Sequence, residues 1–324
     1  MDPFERVPLG GTGVTVTRLG LGLAPMAGLF HAVGEDTATA TVDAAWEAGI
    51  RYFDTAPQYG AGLSERRAGK ALAGRTGFTL STKVGRLLVP GSADDPGIWA
   101  EDSTFKAVFD FSAGGVRRSY ADSLERLGLA RADILHIHDP DEHFDEAIGE
   151  ALPALVAMRA EGVIGAVSAG MNQSAMLTRF ARTGEFDCFL LAGRYTLLDQ
   201  SGLADLLPEC TARGISVIAG GVYNSGLLAD PSPGATFDYV PAAPELLTKA
   251  RAMEEICASH GVPLRAAALQ FPLGHPAVAS VLIGMRSPAE VTDAVAMARL
   301  EIPGQLWRDL VRAGLLPEEV PTPS

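Results

Sequence analysis

Eight short runs of apolar and β-branched residues recur along the chain, and a longer stretch of helical spacing separates each from the next. The runs are RLGLGL (18–23), RYFDTA (51–56), FTLSTKV (78–84), DILHIHD (133–139), IGAVSA (164–169), CFLLAG (188–193), ISVIAGG (215–221) and SVLIGM (280–285). Stretches with capping residues and apolar spacings of three and four predict helices over 37–48, 65–73, 112–127, 146–161, 175–183, 203–213, 243–260 and 288–298. A strand followed by a helix, eight times over, implies parallel pairing, because every connection crosses over one face of the sheet. Eight such units favour a closed (β/α)8 barrel, the TIM barrel, over an open doubly wound sheet. A length of 324 residues suits one such domain over 1–324. The opening VPLGGTGVTVTRL reads as a β-hairpin turning at Gly11-Thr12-Gly13 and closing one barrel end.

At 47% hydrophobic and 20% charged residues, the chain can bury a large core. Its 26 basic and 39 acidic residues leave a net charge of −13, which disfavours nucleic acid or anionic lipid as partners. Cys188, Cys210 and Cys257 follow no metal-binding or disulfide spacing, the usage of a reducing compartment. The N-terminus MDPFERVPLGG lacks the pattern of a signal peptide, and no apolar run approaches the ~20 residues of a membrane helix. The expectation is a soluble, cytoplasmic protein. Nothing in the sequence indicates an oligomeric state.

In a barrel of this kind the reactive groups gather at the C-terminal ends of the strands. Asp54 ends the second predicted strand, with Tyr59 in the loop behind it; Lys83 ends the third and His138 the fourth. Singly, the aspartate could be a helix cap and the tyrosine a packing residue. Together they make a proton-transfer set. A phenol with pKa near 10 works at neutral pH only if a neighbouring cation stabilises the phenolate. Lys83 supplies that cation, Asp54 holds the ammonium, and His138 orients the substrate oxygen. Such a set moves a proton on or off an alcohol or carbonyl oxygen and leaves a hydride to a cofactor.

Through VPLGGTGVTVTRLGLG, FDTAPQYG, STKVG and the histidine closing strand 4, the sequence resembles the aldo-keto reductase family nearly from end to end. The resemblance implies Tyr59 as proton donor or acceptor, with Asp54, Lys83 and His138 completing a tetrad. It also implies a nicotinamide dinucleotide lying across the barrel mouth. GVYNSGLLAD (221–230) is similar to the pyrophosphate loop, in which Asn224, Ser225, Gly226 and Leu227 would offer backbone N–H groups. IGMRSPAEVTDA (283–294) is similar to the adenosine-phosphate segment, with Gly284, Arg286 and Glu290 in contact. For the carboxamide, Ser168 survives but Ala169 stands where the family has asparagine, and Asn172 is the substitute. Ala192 falls at the usual glutamine and Gly220 at the tyrosine that stacks on the ring, leaving Tyr223 for that role. Glu290 stands where NADP-binding members carry arginine. A carboxylate beside the ribose favours a free 2′-hydroxyl, so NAD is expected, with NADP still open.

VFDFS, GMNQSAML, AGRYTLLD, GGVYNSGLL and RAAALQFPLGHPAV resemble a narrower branch, of aldose 1-dehydrogenases and a pyridoxal 4-dehydrogenase. That branch implies a sugar or pyridoxal-like substrate whose cyclic hemiacetal is oxidised to a lactone. Loop 85–111 is long, with Pro90, Gly91, Pro96 and Gly97, as functional loops often are. The aromatic candidates for a substrate pocket are Trp99 and Tyr195, then Phe105, Phe109, Phe111 and Trp307. Two readings from other classes stay open. HIHDPDEH (136–143) carries an HxH pair that a metal-dependent barrel hydrolase could use, although the tetrad already accounts for His138 and needs no metal. A barrel that binds nicotinamide without turnover is the other.

Overall fold

The computed structural model describes residues 2–91, 98–100 and 103–323. The chain opens with an antiparallel hairpin, β1 (Arg6–Pro8) against β2 (Thr15–Thr17), with Val7 opposite Val16. Eight parallel strands then close into a barrel: β3 (Leu19–Gly22), β4 (Tyr52–Asp54), β5 (Thr79–Val84), β8 (Ile134–His138), β9 (Ala166–Met171), β10 (Cys188–Ala192), β11 (Ser216–Gly220) and β14 (Val278–Gly284). Each pairs with its neighbours in chain order, and β14 returns to β3. The (β/α)8 barrel expected from the alternating pattern is the fold observed.

Period-two alternation divides the strand residues between two cores. Tyr52, Ile134, Ala166, Cys188, Leu190 and Leu282 form an inner cluster with Val7, Leu9 and Val16 of the hairpin, which plugs the N-terminal end. Phe53, Leu80, Leu135, Val167, Phe189 and Val217 face the opposite way into the larger cluster under the helices. The Tyr52 ring lies across Gly20, where a Cβ would stand 2.5 Å from Cδ1, so the barrel interior has room for the ring only because β3 has no side chain there.

The enclosing helices are α1 (Glu35–Ala48), α2 (Leu63–Leu72), α3 (Ala113–Leu127), α4 (Phe144–Glu146), α5 (Leu152–Ala160), α6 (Ser174–Ala181), α7 (Leu206–Arg213), α8 (Pro244–Ser259), α9 (Leu264–Gln270), α10 (Pro288–Arg299) and α11 (Gly304–Arg312). The helix expected over 146–161 starts earlier and passes through a π-turn, Ala147–Ala151, between α4 and α5. The one expected over 203–213 starts only at Leu206, whose N–H is capped by the Asp205 side chain at 2.6 Å. None of the described helices is long and apolar enough to cross a membrane.

Two connections differ from expectation. Loop 85–111 contains an antiparallel arm, β6 (Arg86–Pro90) on β7 (Phe105–Phe109); Pro96 and Gly97 lie outside the described residues. The segment after β11 carries a further small hairpin, β12 (Thr236–Phe237) on β13 (Val240–Pro241). Strand β9 also sits two residues later than the run at 164–169, which changes what Ser168 can reach.

Candidate active site

Asp54, at the end of β4, does not cap a helix. Its Oδ2 accepts from Lys83 Nζ at 2.7 Å and its Oδ1 from Ser81 Oγ at 2.7 Å. Lys83 also donates to the Thr55 carbonyl at 2.9 Å, so the ammonium has a fixed seat between β4 and β5. The Tyr59 ring lies over that ammonium, 4.6 Å from nitrogen to ring centre, and the His138 ring stands edge-on at 6.0 Å. Period-two spacing in TLSTKV puts Ser81 and Lys83 on the same face, which is why both meet Asp54.

Tyr59 reaches the rim through a turn with a close approach. Gly60 has φ of 56°, and a Cβ there would meet the Ala27 carbonyl oxygen at 2.7 Å. Ser64 Oγ ties the same segment to the Leu23 carbonyl at 3.0 Å, and Thr55 Oγ1 donates to Ser64 at 2.8 Å. The fully buried Glu65 accepts from Thr82 Oγ1 at 2.7 Å and from Arg126 Nε at 2.5 Å, anchoring the start of α2 to β5 and α3.

Burial pushes the Tyr59 phenol up to about 12, while the charge of Lys83 pulls it back down. For Lys83 burial opposes the charge, but Asp54 and then the Tyr59 oxygen outweigh it, so its pKa is raised. Burial, followed by the Lys83 charge, holds both His136 and His138 well below the ordinary imidazole range, so both are neutral at pH 7. Asp139 follows His138 with φ of 41° and pairs with Arg86 at 2.9 Å, a feature of the site with no signal in the sequence.

Beside Tyr59 and Asp54 opens a cavity of about 530 Å³, floored by Leu190 and Leu282. Gly22, Gly220 and Gly284 put bare backbone on its walls, and Ala192 adds only a methyl group. Of the residues expected to hold a cofactor, Asn172, Asn224, Ser225, Gly226, Gly284, Arg286 and Glu290 line it, as does Tyr223. Phe30 and Tyr239, their rings 5.7 Å apart, also line the cavity, together with Asp238, Arg265 and Asp293; none of these was identified from the sequence. The site fits a nicotinamide dinucleotide: the walls are glycine-rich, and Asn224 Oδ1 is buried with no partner among the described residues.

Several expectations are corrected by register and hydrogen bonding. Ser168 pairs in register with His136, below the rim, and its Oγ lies 2.7 Å from His136 Nδ1, so it does not line the cavity. Ala169 faces the outer core, and Gly170 is the residue level with His138. In the pyrophosphate loop the N–H groups of Asn224, Gly226 and Leu227 already donate to Gly221, Tyr223 and Asn224. Ser225 alone has an N–H without a protein acceptor among the described residues, and Leu227 is core. The Trp99 ring lies tilted against Tyr59, with ring centres 5.8 Å apart. Tyr195 instead packs into the core against Phe271 and His275, so it is not a pocket residue. Trp307 is buried against Phe271 as well. His136 lies below the mouth, bonded to Ser168, and among the described residues no three His, Cys, Asp or Glu side chains converge as metal ligands.

Residues 18–313 match the Aldo/keto reductase family. The chain is 43% identical over 316 residues to a D-threo-aldose 1-dehydrogenase of Pseudomonas sp, covering 94% of this chain and 96% of that one. It is 40% identical over 336 residues to a pyridoxal 4-dehydrogenase of Microbacterium luteolum, covering 96% and 98%. Among solved structures, the holo form of aldo-keto reductase AKR11C1 from Bacillus halodurans superposes with a TM-score of 0.78 at 26% identity, covering 96% of both chains. The protein belongs to the aldo-keto reductase family. It is an NAD(P)-dependent oxidoreductase.

Proposed function

We propose that the protein oxidises the anomeric hydroxyl of an aldose to the lactone, with NAD as the acceptor and Tyr59 as the general base. The observation that carries this reading is the meeting of Asp54, Lys83, Tyr59 and His138 in one cluster, of which Asp54 and Tyr59 line the cavity. Asp54 fixes the ammonium of Lys83, and Lys83 favours the phenolate of Tyr59 against the cost of burial. Tyr59 Oη takes the proton of the anomeric hydroxyl. His138, neutral, orients that oxygen by a hydrogen bond. Asn172, Asn224, Ser225, Gly226 and Gly284 would hold the dinucleotide, which would supply the hydride acceptor for oxidation at the anomeric carbon.

The preference for NAD has specific support. Both cations at the adenosine end of the cavity are already neutralised. Arg286 donates through Nε and a terminal nitrogen to Glu290 at 3.1 and 3.0 Å, and Arg265 donates to Asp293 at 2.9 and 2.8 Å. Glu290 Oε2 also accepts from the Arg286 N–H at 2.7 Å, so a carboxylate occupies the anion position where α10 begins. A 2′-phosphate would meet that carboxylate.

The relative at 40% identity favours pyridoxal, oxidised to 4-pyridoxolactone, as the second reading. Both substrates present a cyclic hemiacetal. A panel of L-fucose, D-threo-aldoses, L-galactose and pyridoxal, each with NAD and with NADP, separates them by kcat/KM. No turnover of any of these would overturn both. The buried free thiols of Cys188, Cys210 and Cys257 support a cytoplasmic setting.

A further inference from the structure

Beneath Lys83 the barrel encloses a layer of polar side chains that takes no direct part in the proposed proton transfer. Tyr52, Ser81, His136 and Ser168 are all fully buried. Tyr52 Oη lies 3.1 Å from Ser81 Oγ, and Ser81 donates to Asp54. His136 lies in register with Lys83 on one side and with Ser168 on the other. Its Nδ1 is 2.7 Å from Ser168 Oγ. Its Nε2 is buried, forms no hydrogen bond to the described residues, and has Asp54 Oδ1 at 3.6 Å. An apolar residue would fill this place without the cost of burying an imidazole, about 1–3 kcal/mol for each unsatisfied polar group.

We infer that His136 is a positioning residue for Asp54: Ser168 fixes it as the Nε2–H tautomer, and that N–H turns its positive end toward the carboxylate oxygen not used by Lys83. The inference rests on the reading of Asp54, Lys83 and Tyr59 given above. The tautomer follows from the partners. If Nδ1 carried the proton, the Nε2 lone pair would face the Asp54 carboxylate, and the Ser168 proton would be left with the Ala169 carbonyl at 3.4 Å. With Nε2–H, Ser168 donates to Nδ1, and the positive end of the His136 N–H faces Asp54 Oδ1 at 3.6 Å, beside the hydrogen bonds from Lys83 and Ser81. The charged or titratable groups around His136 are Lys83 on β5, Asp54 and Tyr52 on β4, His138 on its own strand, and Cys188, which shares Ser168. Without that facing N–H the carboxylate turns and draws the ammonium away from Tyr59. The phenolate then loses part of its stabilisation.

The test uses the full chain. Nitrogen-15 NMR of the histidine rings reads the tautomer directly, and Nε2–H at His136 is the expected result; Nδ1–H overturns the inference. His136→Leu, assayed with NAD on L-fucose and on pyridoxal, should move the midpoint of the oxidation rate against pH upward by about one pH unit. At neutral pH that is about a tenfold fall in kcat. Affinity for NAD, read by fluorescence quenching, should stay within about twofold. His136→Gln, whose amide can donate to Asp54, should keep the midpoint of the parent protein. A fall in kcat with an unmoved midpoint marks a merely structural residue and overturns the inference. Should His136→Leu fail to fold, Ser168→Ala takes its place with a smaller upward shift expected, and no shift overturns. Tyr59→Phe, run alongside, separates this inference from the reading beneath it. Near-normal turnover by Tyr59→Phe overturns both. Lost turnover with an unmoved His136→Leu midpoint overturns this inference alone.

Discussion

A lysine held at 1% exposure keeps its charge only because Asp54 is 2.7 Å away, and that pair sets the terms for every other group at the rim. Tyr59 sits at about 12, so its phenol is protonated at neutral pH. Oxidation needs the phenolate, so its rate should rise as pH rises toward that value. Lys83→Met removes the charge that most lowers the phenol's pKa. The rate profile should therefore move to still higher pH, and an unmoved profile of normal amplitude would refute the coupling. Tyr59→Phe loses only the proton acceptor; turnover should fall about 10²–10⁴-fold with NAD affinity nearly intact. Near-normal turnover would remove Tyr59 from the role. At the other end of the cavity, Glu290→Arg frees Arg286 and adds a second cation. The ratio of kcat/KM for NADP over NAD should rise tenfold or more, about 1.4 kcal/mol per factor of ten. An unchanged ratio would mean that the carboxylate does not face the ribose.

Among the elements, α2 does the most to present Tyr59, and it does so through a buried charge. Glu65 lies on the first turn, fully buried, with Thr82 of β5 and Arg126 of α3 as its partners. Glu65→Gln leaves Arg126, 17% exposed, without its carboxylate. Breaking a buried pair from one side costs about 3–5 kcal/mol, and the remaining exposure of Arg126 puts the expectation at the lower end. Urea unfolding measures it; a loss below about 1 kcal/mol would show that the pair is dispensable. The two unexpected hairpins behave differently from α2. The β6–β7 arm turns Phe105 and Phe109 outward, 43% and 51% exposed, and Lys106 inward, so its apolar residues do not mark the buried face of a strand pair. The β12–β13 hairpin is held from outside itself, by Arg194 on Asp238 at 2.7 Å and by Thr236 on the Ser225 carbonyl at 2.7 Å. Neither contact has a local signature.

For the molecule as a whole, the buried histidines make stability depend on pH. His136 and His138 are held neutral in the fold by burial, whereas in the unfolded chain they bind a proton near the ordinary value of 6.5. The unfolded state therefore binds more protons below that pH, and stability falls as pH drops from about 6.5 toward the lowered values in the fold. In that window each histidine contributes a slope of about 1.4 kcal/mol per pH unit. Urea midpoints measured from neutral to mildly acid pH should show this dependence, to which the buried His275 also adds, and His136→Gln should lose the share of one histidine. A flat profile would mean that both imidazoles protonate in place. Barrel closure explains the burial: the β1–β2 hairpin seals one end, and His136 lies fully buried above the inner cluster.

The order of eight strands and helices was legible in the sequence because period two and period 3.6 are local properties, written in consecutive side chains. Asp54, Tyr59, Lys83 and His138 were legible for a related reason. Each stands at or just beyond a strand end, and a parallel barrel brings all strand ends to one rim. Depth within a strand is not local. IGAVSA reads as a strand from 164, yet β9 runs from Ala166, and that shift carries Ser168 from the mouth to His136. The commitments of the Asn224 loop N–H groups, the turning of Glu290 onto Arg286 and the withdrawal of Tyr195 into the core were likewise decided by tertiary structure. Register, side-chain direction and hydrogen-bond partner depend on residues far away in the chain, and they exist only once the barrel has closed.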